Sequence, residues 1–512
     1  MLILWIYSII LIVLIDYFKF MLSLKQLLAV RKKPFDKKKE AFIAKAYNFA
    51  KKAHQSQKRK TGEPYFTHSA ETAKTLIEMG LGSKSVASAL LHDVPEDTDL
   101  TLDDVEKEFG KEVAFIVKGI TKVGQIRLRG ASDEIYLENL RRMFLAMAAD
   151  IRVVLIKIAD RLNNMETLYV HPREKQVSIA NETMDVFVPI ANRLGLSEIK
   201  NKLEDLAFQY LEPKNYRKTV KMCDEALTVR AKYTKRAIKE LQKALKSESI
   251  KILNIVGRAK HYYRFHQKLL KHDMRVEEVY DLAAIRIIVM SVEDCYRVLG
   301  IVHKIYNPMI GRIKDYISLP KPNGYKSLHT TIFGPEGKIL EVQIRTREMD
   351  CEAEYGIAAH WIYSGDKSFK ELLFKRKKEE LDKQLAWVKQ LQKWHEETGG
   401  LSDEFWSSLQ IDFFKNHIFA FTPRGDVIDL PEGATPVDFA YSIHTEIGNT
   451  LVGAKANQKI VALGYIIRNG DVIELITEKR KKNPNIDWLD FVKTAHARSK
   501  IKERLRKNKI NF

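Results

Sequence analysis

His92-Asp93-Val94-Pro95-Glu96-Asp97 closes an apolar helical run (Val86, Ala89, Leu90) near the N-terminus, and two more acids follow the His-Asp pair within a turn. Alone, adjacent His and Asp serve as readily as a helix-end cap. Here they have company. His68 lies upstream in Gly62-Glu63-Pro64-Tyr65-Phe66-Thr67-His68, and Asp160 downstream in Ala159-Asp160-Arg161-Leu162-Asn163-Asn164. Two imidazoles and two carboxylates make a mixed N/O donor set suited to Mn²⁺, Fe²⁺ or Zn²⁺ rather than to soft metals. A bound divalent ion would lower the pKa of water and polarise a phosphate. Glu96 and Asp97 are then placed to orient that water or take its proton. Along Arg152–Leu168 the residues Asp160, Asn164 and Thr167 share one face of a helix that is otherwise strongly apolar (Val153, Val154, Leu155, Ile156, Ile158). One face thus offers a ligand and two hydrogen-bonding groups to one cleft.

Working outward, 512 residues allow about three or four domains. The excess of 86 Lys and Arg over 66 Asp and Glu, a net charge of +20, favours polyanionic partners: nucleotides, RNA or the ribosome. Three scattered cysteines (Cys223, Cys295, Cys351) exclude a disulfide framework and a Cys-rich zinc module, and point to a reducing compartment, the cytoplasm. Residues 1–15 are almost wholly apolar, short for a span and without a cleavage site. They read as a membrane anchor or as residues ahead of a true start at Met21, and the second reading is preferred.

The pattern is helical from about Glu40 to Tyr210, with a capping-box spacing at Thr101-Leu102-Asp103-Asp104 and a helix stop at Gly110. Charged amphipathic helices continue to residue 250. Near Ile252 the period changes: Leu282–Met290 and Lys338–Arg345 read as strands. Residues 367–397 return to a Lys/Glu-rich helix with an apolar stripe. Short β-rich runs with turn signals between Asn416 and Thr477 fit a small β-grasp-like domain, and a basic helix begins after Pro484.

The middle of the chain carries a second set of chemistry-bearing residues. Gly257-Arg258-Ala259-Lys260-His261-Tyr262-Tyr263 puts two cations beside a glycine and aromatic rings, and Asp281 opens a buried strand where its charge calls for a cation. Alternation in Glu341-Val342-Gln343-Ile344-Arg345 places Glu341, Gln343 and Arg345 on one sheet face. Asp281 and Glu341 from neighbouring strands make an arrangement for Mg²⁺ and a general base. Between them lie Gly311-Arg312-Ile313-Lys314-Asp315-Tyr316-Ile317 and Lys321-Pro322-Asn323-Gly324-Tyr325-Lys326-Ser327-Leu328-His329. Clustered cations with an interleaved tyrosine suit a purine di- or triphosphate.

With its flanks, the order His68 … His92-Asp93 … Asp160 is that of the HD metal-dependent phosphohydrolases and resembles the hydrolase half of the long RelA/SpoT homologues, which make and destroy the alarmone (p)ppGpp. The resemblance implies that His68, His92, Asp93 and Asp160 bind Mn²⁺ and that Arg59, Thr61 and Asn164 hold the nucleotide. The family's Arg-Lys-(Ser/Thr)-Gly-Glu-Pro-Tyr segment stands at Arg59–Tyr65; this chain departs at Asn163, where His is usual, and at Glu166, where Arg is usual. The second cluster looks like the family's synthetase domain. By that resemblance Tyr325 stacks on the guanine of GDP or GTP and Arg258 meets the adenine of ATP. Lys260, Arg312, Lys314 and Lys321 neutralise phosphates, while Asn323, Gln343 and His360 complete the nucleotide site. Asp281 binds Mg²⁺, and Glu341 activates the ribose 3′-hydroxyl. Arg312-Ile313-Lys314-Asp315 matches the basic signature of bifunctional members.

Residues 416–478 resemble a TGS domain, in which Ala440-Tyr441-Ser442-Ile443-His444 matches the segment that meets the 3′ end of uncharged tRNA, with His444 at the contact. The family continues through further domains; the chain stopping at Phe512 reads as a natural short variant, a fragment or a truncated frame. The implied architecture is multidomain α and α+β. Residues 1–39 form an apolar segment and basic linker, 40–205 an all-α HD phosphohydrolase domain, and 206–250 a helical connector. Residues 251–397 form an α/β nucleotidyltransferase-like synthetase domain, 416–478 a β-grasp TGS domain, and 484–512 the start of a basic helical region. The expected function is a bifunctional enzyme moving pyrophosphate from ATP to GDP or GTP and hydrolysing (p)ppGpp. Its rivals are a hydrolase with an impaired synthetase, and a non-catalytic regulator binding tRNA or the ribosome.

Overall fold

A computed structural model describes residues 22–31, 34–124, 149–259, 261–279, 283–321, 323–359, 417–468, 470–478 and 483–509. The apolar segment 1–15, the stripe in 367–397, Lys260, Asp281 and His360 lie outside them. Among the described residues no helix is long and apolar enough to cross a membrane. The chain divides into two compact units, Met1–Gln392 and Lys393–Phe512.

The first unit begins with helices alone: α1 (Lys37–Ala53), α2 (Phe66–Glu78), α3 (Ser83–Leu91), α4 (Val94–Asp97), α5 (Leu102–Phe109), α6 (Lys111–Gly124), α7 (Ile151–Glu166), α8 (Arg173–Glu182), α9 (Val188–Arg193) and α10 (Ser197–Leu211). The capping box expected at Thr101 is formed, with Asp104 bonding back to the Thr101 N–H, and Gly110 ends that helix at φ 85°. α7 is almost wholly buried: Val153, Val154, Leu155, Ile156 and Ile158 pack on all sides, so its polar residues Asp160 and Asn163 are carried into the interior. Thr167 differs from expectation. It ends the helix, and its hydroxyl donates to the Asn163 carbonyl at 3.1 Å rather than facing the cleft. A threonine hydroxyl readily bonds back to the carbonyl four residues earlier, here one that also accepts the Thr167 N–H at 3.3 Å.

α11 (Pro213–Ser247) leads into β1 (Ile252–Ala259), α12 (Tyr262–Lys271), β2 (Ala283–Val289), α13 (Val292–Ile305), β3 (Lys314–Asp315), β4 (Leu328–Phe333), β5 (Ile339–Thr346) and α14 (Arg347–Tyr355). The sheet order is β1-β2-β5-β4-β3, with β2 and β5 parallel and the other neighbours antiparallel. The aliphatics Ile285, Ile287, Val289, Val342 and Ile344 form one core with Val298 and Val302 of α13 and with Tyr233, Ala237, Leu241 and Leu245 of α11. The last third of the expected connector thus packs into the sheet's own core. With helices on the aliphatic face, the alternation in β5 turns Glu341 and Gln343 to the other face.

The helical and sheet halves of this unit meet through backbone. The Ile357 N–H donates to the Leu194 carbonyl at 2.9 Å. Gly195 (φ 73°) and Gly356 (φ 52°) lie against each other, and a Cβ on Gly195 would stand 3.0 Å from the Asn323 carbonyl and from the Gly356 Cα. A Cβ on Gly356 would collide with the Leu194 carbonyl and the Gly195 backbone. Only glycine takes both the left-handed conformation and the close approach without strain.

The second unit holds the hairpin β6 (His417–Phe421)/β7 (Val427–Pro431), helices α15 (Pro436–Ile443) and α16 (Thr445–Thr450), and a sheet β10-β8-β9 of β8 (Leu451–Ala456), β9 (Lys459–Val461) and β10 (Ile473–Thr477). Phe421 bridges to Val472, and Ile418, Leu430, Phe439, Ile467 and Ile473 share a core, the β-grasp arrangement. Asp438 is fully buried and accepts from the N–H groups of Thr435, Lys493 and Thr494 and from the Thr494 hydroxyl. That carboxylate ties the last helix, α17 (Ala495–Lys509), to the grasp.

Gly356→Ala should loosen the seam between the two halves of the first unit. Left-handed strain alone costs about 1–3 kcal/mol, so a thermal melt should show a clear fall in Tm. An unchanged Tm would mean that the seam does not bear on stability.

Candidate active sites

His68 on α2, His92 at the end of α3 and Asp160 on α7 bring their donor atoms within 4.8 Å of one another, all three residues buried. His68 Nε2 is 3.1 Å from Asp160 Oδ1 and 3.6 Å from Asp93 Oδ2. His92 Nε2 approaches Asp93 Oδ1 at 3.1 Å but without hydrogen-bond alignment, and is a buried nitrogen with no partner. The other ring nitrogens are spoken for: His68 Nδ1 meets Asn163 Oδ1 at 2.6 Å, and His92 Nδ1 meets the Ala89 carbonyl at 2.8 Å. Accepting groups at both Nδ1 atoms place the protons there and leave both Nε2 lone pairs aimed at the Asp93–Asp160 gap. An orphaned buried imidazole nitrogen beside two carboxylates fits a divalent cation.

The charges point the same way. Burial opposes the charge on Asp160, yet Lys157, with Nζ 2.7 Å from Oδ2, and His68 hold its carboxyl well below the usual range. Burial likewise works against a charged His68, but Asp160 and then Asp93 outweigh it and raise the imidazole. Glu96 is shifted upward by partial desolvation in the cleft and by the charge of Asp93. A carboxyl raised in this way is a stronger base than an ordinary glutamate.

Three residues here were not singled out from sequence. Lys157 was hidden in an apolar helix, although its i, i+3 spacing to Asp160 was readable. Asn163 was noted only as a departure, yet it orients His68. The Tyr65 hydroxyl donates to Asp97 Oδ2 at 2.6 Å and lies 3.1 Å from Asp93 Oδ2, linking the two acids. Arg59 reaches Asn163 and Asn164 at 3.4 and 3.2 Å, and Thr61 donates to Glu63 at 2.9 Å, so these residues do gather at the mouth of the cluster.

The second constellation sits on the polar face of the sheet. Register places Lys314, His329 and Gln343 opposite one another across β3, β4 and β5, and sets Glu341 between Thr331 and Ala284, with Arg258 opposite Ala284 on β1. Glu341 Oε1 is 3.0 Å from His329 Nδ1 and accepts from Gln343 Nε2 at 2.9 Å. His329 Nε2 meets the Tyr325 hydroxyl at 2.8 Å. The result is a chain Tyr325–His329–Glu341. His329 closes the motif in the sequence, but its four-residue offset from Tyr325 carries no signal of this contact. Burial lowers His329, partly offset by Glu341, which keeps the imidazole neutral and donating through Nδ1 to the carboxylate.

Above this chain, Lys321 Nζ lies 4.6 Å from the centre of the Tyr316 ring and 5.0 Å from that of Tyr325. The turn that brings it there closes with Gly324 N–H to the Lys321 carbonyl at 2.8 Å and needs the φ of 76° that Gly324 supplies. Lys321 keeps an exposed side chain yet is walled by protein. That confinement, with Arg264 and Lys314 nearby, lowers its ammonium to about 8. Arg312 and Lys314 are exposed beside it, and Asn323 accepts from the Tyr325 N–H at 3.3 Å. Asp315 does something else: its carboxylate accepts from Ile317 and Ser318 N–H and from the Tyr296 hydroxyl, holding the loop. Arg345, on the same face of β5, is buried against Asp350 at 2.8 Å and lies close enough to His329 to help lower its imidazole. In the second unit, exposed His444 joins α15 to α16, its Nδ1 accepting from the Glu446 N–H at 3.2 Å.

Comparison with known proteins places these parts in one series. Residues 46–197 match the HD domain, 257–368 the region found in RelA/SpoT proteins, and 418–477 the TGS domain. The chain is 44% identical over 91% of its length to the guanosine-3′,5′-bis(diphosphate) 3′-pyrophosphohydrolase of Aquifex aeolicus, spanning 64% of that protein. It is 44% identical over 90% of its length to the GTP pyrophosphokinase of Streptomyces antibioticus (55% of that protein). It is also 42% identical over 94% of its length to the bifunctional (p)ppGpp synthase/hydrolase RelA of Mycobacterium tuberculosis (64% of that protein). The chain therefore spans a little over half to just under two thirds of these relatives. Three domain models matched in order, over a chain whose two polar clusters fall inside the first two of them, settle its kinship: it belongs to the RelA/SpoT family.

Proposed function

We propose that the chain is a bifunctional alarmone enzyme. Its HD half, residues 40–205, hydrolyses (p)ppGpp, and its sheet half, residues 251–397, makes it from ATP and GDP or GTP. One observation carries the reading: a single compact unit holds both the orphaned His92 nitrogen beside Asp93 and Asp160 and the Tyr325–His329–Glu341 chain.

In the hydrolytic direction His68, His92, Asp93 and Asp160 would hold Mn²⁺, which when bound acidifies water and polarises the phosphate. Arg59, Thr61 and Asn164 hold the nucleotide at the cluster's mouth. Water forms a bond to the phosphorus attached to the ribose 3′-oxygen, the P–O3′ bond breaks, and pyrophosphate leaves. Glu96, with its raised pKa, takes the water proton, and Asp97, fixed by Tyr65, orients the water. In the synthetic direction the guanine ring lies on Tyr325, and Lys321, Lys314 and Arg312 neutralise phosphate. Arg258, Lys260, Asn323, Gln343 and His360 complete the nucleotide site, with Asp281 as the residue for Mg²⁺. The 3′-oxygen attacks the β-phosphorus of ATP, its proton passes to Glu341, and AMP departs. His329 and Gln343 keep Glu341 aimed and ionised for that transfer. The TGS unit would present His444 to the end of an uncharged tRNA.

Asp93→Ala should abolish pyrophosphate release from ppGpp with Mn²⁺ supplied while leaving synthesis intact. Wild-type hydrolysis by that variant would sink the metal-site assignment. Glu341→Gln should show the reverse, losing about 10²–10⁴ in the synthetic kcat as a general base is removed; a synthetic kcat within threefold of wild type would reassign the base. His444→Ala removes a helix cap as well as an imidazole. His444→Asn, which keeps a capping acceptor, is therefore the cleaner test: it should weaken uncharged-tRNA binding without lowering basal turnover. Equal binding by His444→Asn and wild type would remove the tRNA contact from this residue.

A further inference from the structure

The synthetase site is walled partly by the other domain. α10 closes the HD half, yet Asp205 on it accepts from the Tyr263 N–H at 2.8 Å and meets His261 Nδ1 at 2.9 Å, capping α12 of the sheet half. The preceding residue, Glu204, binds Lys200 Nζ, one turn earlier, through Oε1 at 2.6 Å and Arg264 Nε through Oε2 at 3.3 Å. Lys200 and Glu204 are both buried. Just before α10, the Leu194–Gly195 turn rests on Gly356 and on the carbonyl of Asn323, two residues from Lys321. The segment 194–205 therefore runs from the nucleotide loop to the start of α12.

The cations along this wall outnumber their anions. Lys321 faces Arg264 from α12, Lys314 from β3, Lys200 from α10 and the rings of Tyr316 and Tyr325, with Glu341 of β5 as the opposing charge. Glu204 is shared between Lys200 and Arg264. Four cations thus converge on two carboxylates. Such an excess in a confined space is relieved by an incoming polyanion. Lys200 itself is lowered, by burial and then by Arg264.

We infer that α10 of the HD half is a wall of the synthetase's polyphosphate site, in which Lys200, clamped with Arg264 by Glu204, is a positioning residue that raises the positive potential at Lys321 for a nucleoside triphosphate. This rests on the synthetase reading above. Arg264 is the nearer partner, with a half-exposed side chain; Lys200 acts through it and through the field.

The test is titration of the intact protein with the non-hydrolysable guanine analogue β,γ-methylene-GTP, whose base the Tyr325 ring would take, across pH 6.5–9.5, covering the limb on which Lys321 loses its proton. Removing a neighbouring positive charge raises the Lys321 pKa, so the alkaline limb moves to higher pH even as affinity at neutral pH falls. Lys200→Gln should weaken binding about tenfold at pH 7, equivalent to ~1.4 kcal/mol, and shift the limb upward; Lys200→Arg should restore both. Arg264→Gln, at a half-exposed position that does not threaten folding, should shift the limb in the same direction. A loss of affinity with an unmoved limb in both Gln variants would make Lys200 and Arg264 structural only and overturn the inference. Unchanged affinity would do the same. A wild-type protein that does not bind the analogue, or a Lys321→Gln variant that binds it as well as wild type, would overturn the synthetase reading and the inference with it.

Discussion

A carboxylate taken out of water costs several kcal/mol unless charge and hydrogen bonds replace its hydration. Each part of this chain is organised around one such group. Asp160 is bound by Lys157, His68 and Asn164. Glu341 is bound by Gln343 and His329, and Asp438 by five donors from two helix starts. In every case at least one partner comes from another element, so satisfying the carboxylate fixes how those elements meet. α2 must meet α7, β4 must meet β5, and the C-terminal helix must meet the grasp. The first two groups keep an opening toward substrate. Asp438 does not, and its role is structural.

The residue types of both clusters were readable because chemistry constrains identity: a borderline-metal donor set needs His and Asp, and a polyphosphate cradle needs Lys, Arg and a ring. Alternation in β5 gave the polar face correctly because the opposite face is aliphatic throughout. The supporting residues were less visible. Lys157 sits one turn from Asp160, but Asn163, Tyr65 and His329 act through partners far away in sequence, such as His68 to Asn163 or His329 to Glu341. Local pattern says nothing about those pairings. Thr167 illustrates the opposite failure: helical spacing put it on the ligand face, but its hydroxyl folds back on the Asn163 carbonyl, which also accepts the Thr167 N–H.

The seam between the two halves of the first unit has a different physical basis. Two glycines in left-handed conformations let backbone touch backbone, and one hydrogen bond, from Ile357 to Leu194, crosses the contact. Neither glycine stood out in the sequence, because each gains its meaning only from the other. Side chains on either would separate Asn323 from the turn that supports it. The Lys321–Asn323 loop is therefore held from behind by the helical half of the unit.

Under the bifunctional reading proposed above, that arrangement bears on how two opposed reactions would share a chain. Run together they would only convert ATP to AMP and pyrophosphate, so their sites must sense one another if nucleotide is not to be wasted. The route available here is short. α10 begins one turn after the Leu194–Gly195 contact, carries Lys200 and Glu204 along the proposed synthetase wall, and ends just before α11 begins. Its other side packs against α7, the helix that bears Asp160. A rotation of α10 small enough to keep its core contacts would still change the Lys200–Glu204–Arg264 clamp, because charge-assisted hydrogen bonds weaken steeply with distance and angle. The same rotation would press on the helix that aims Asp160 at the metal cluster. One helix with charged contacts to one site and packing contacts to the other gives the two reactions a common mechanical element, without any further segment between them.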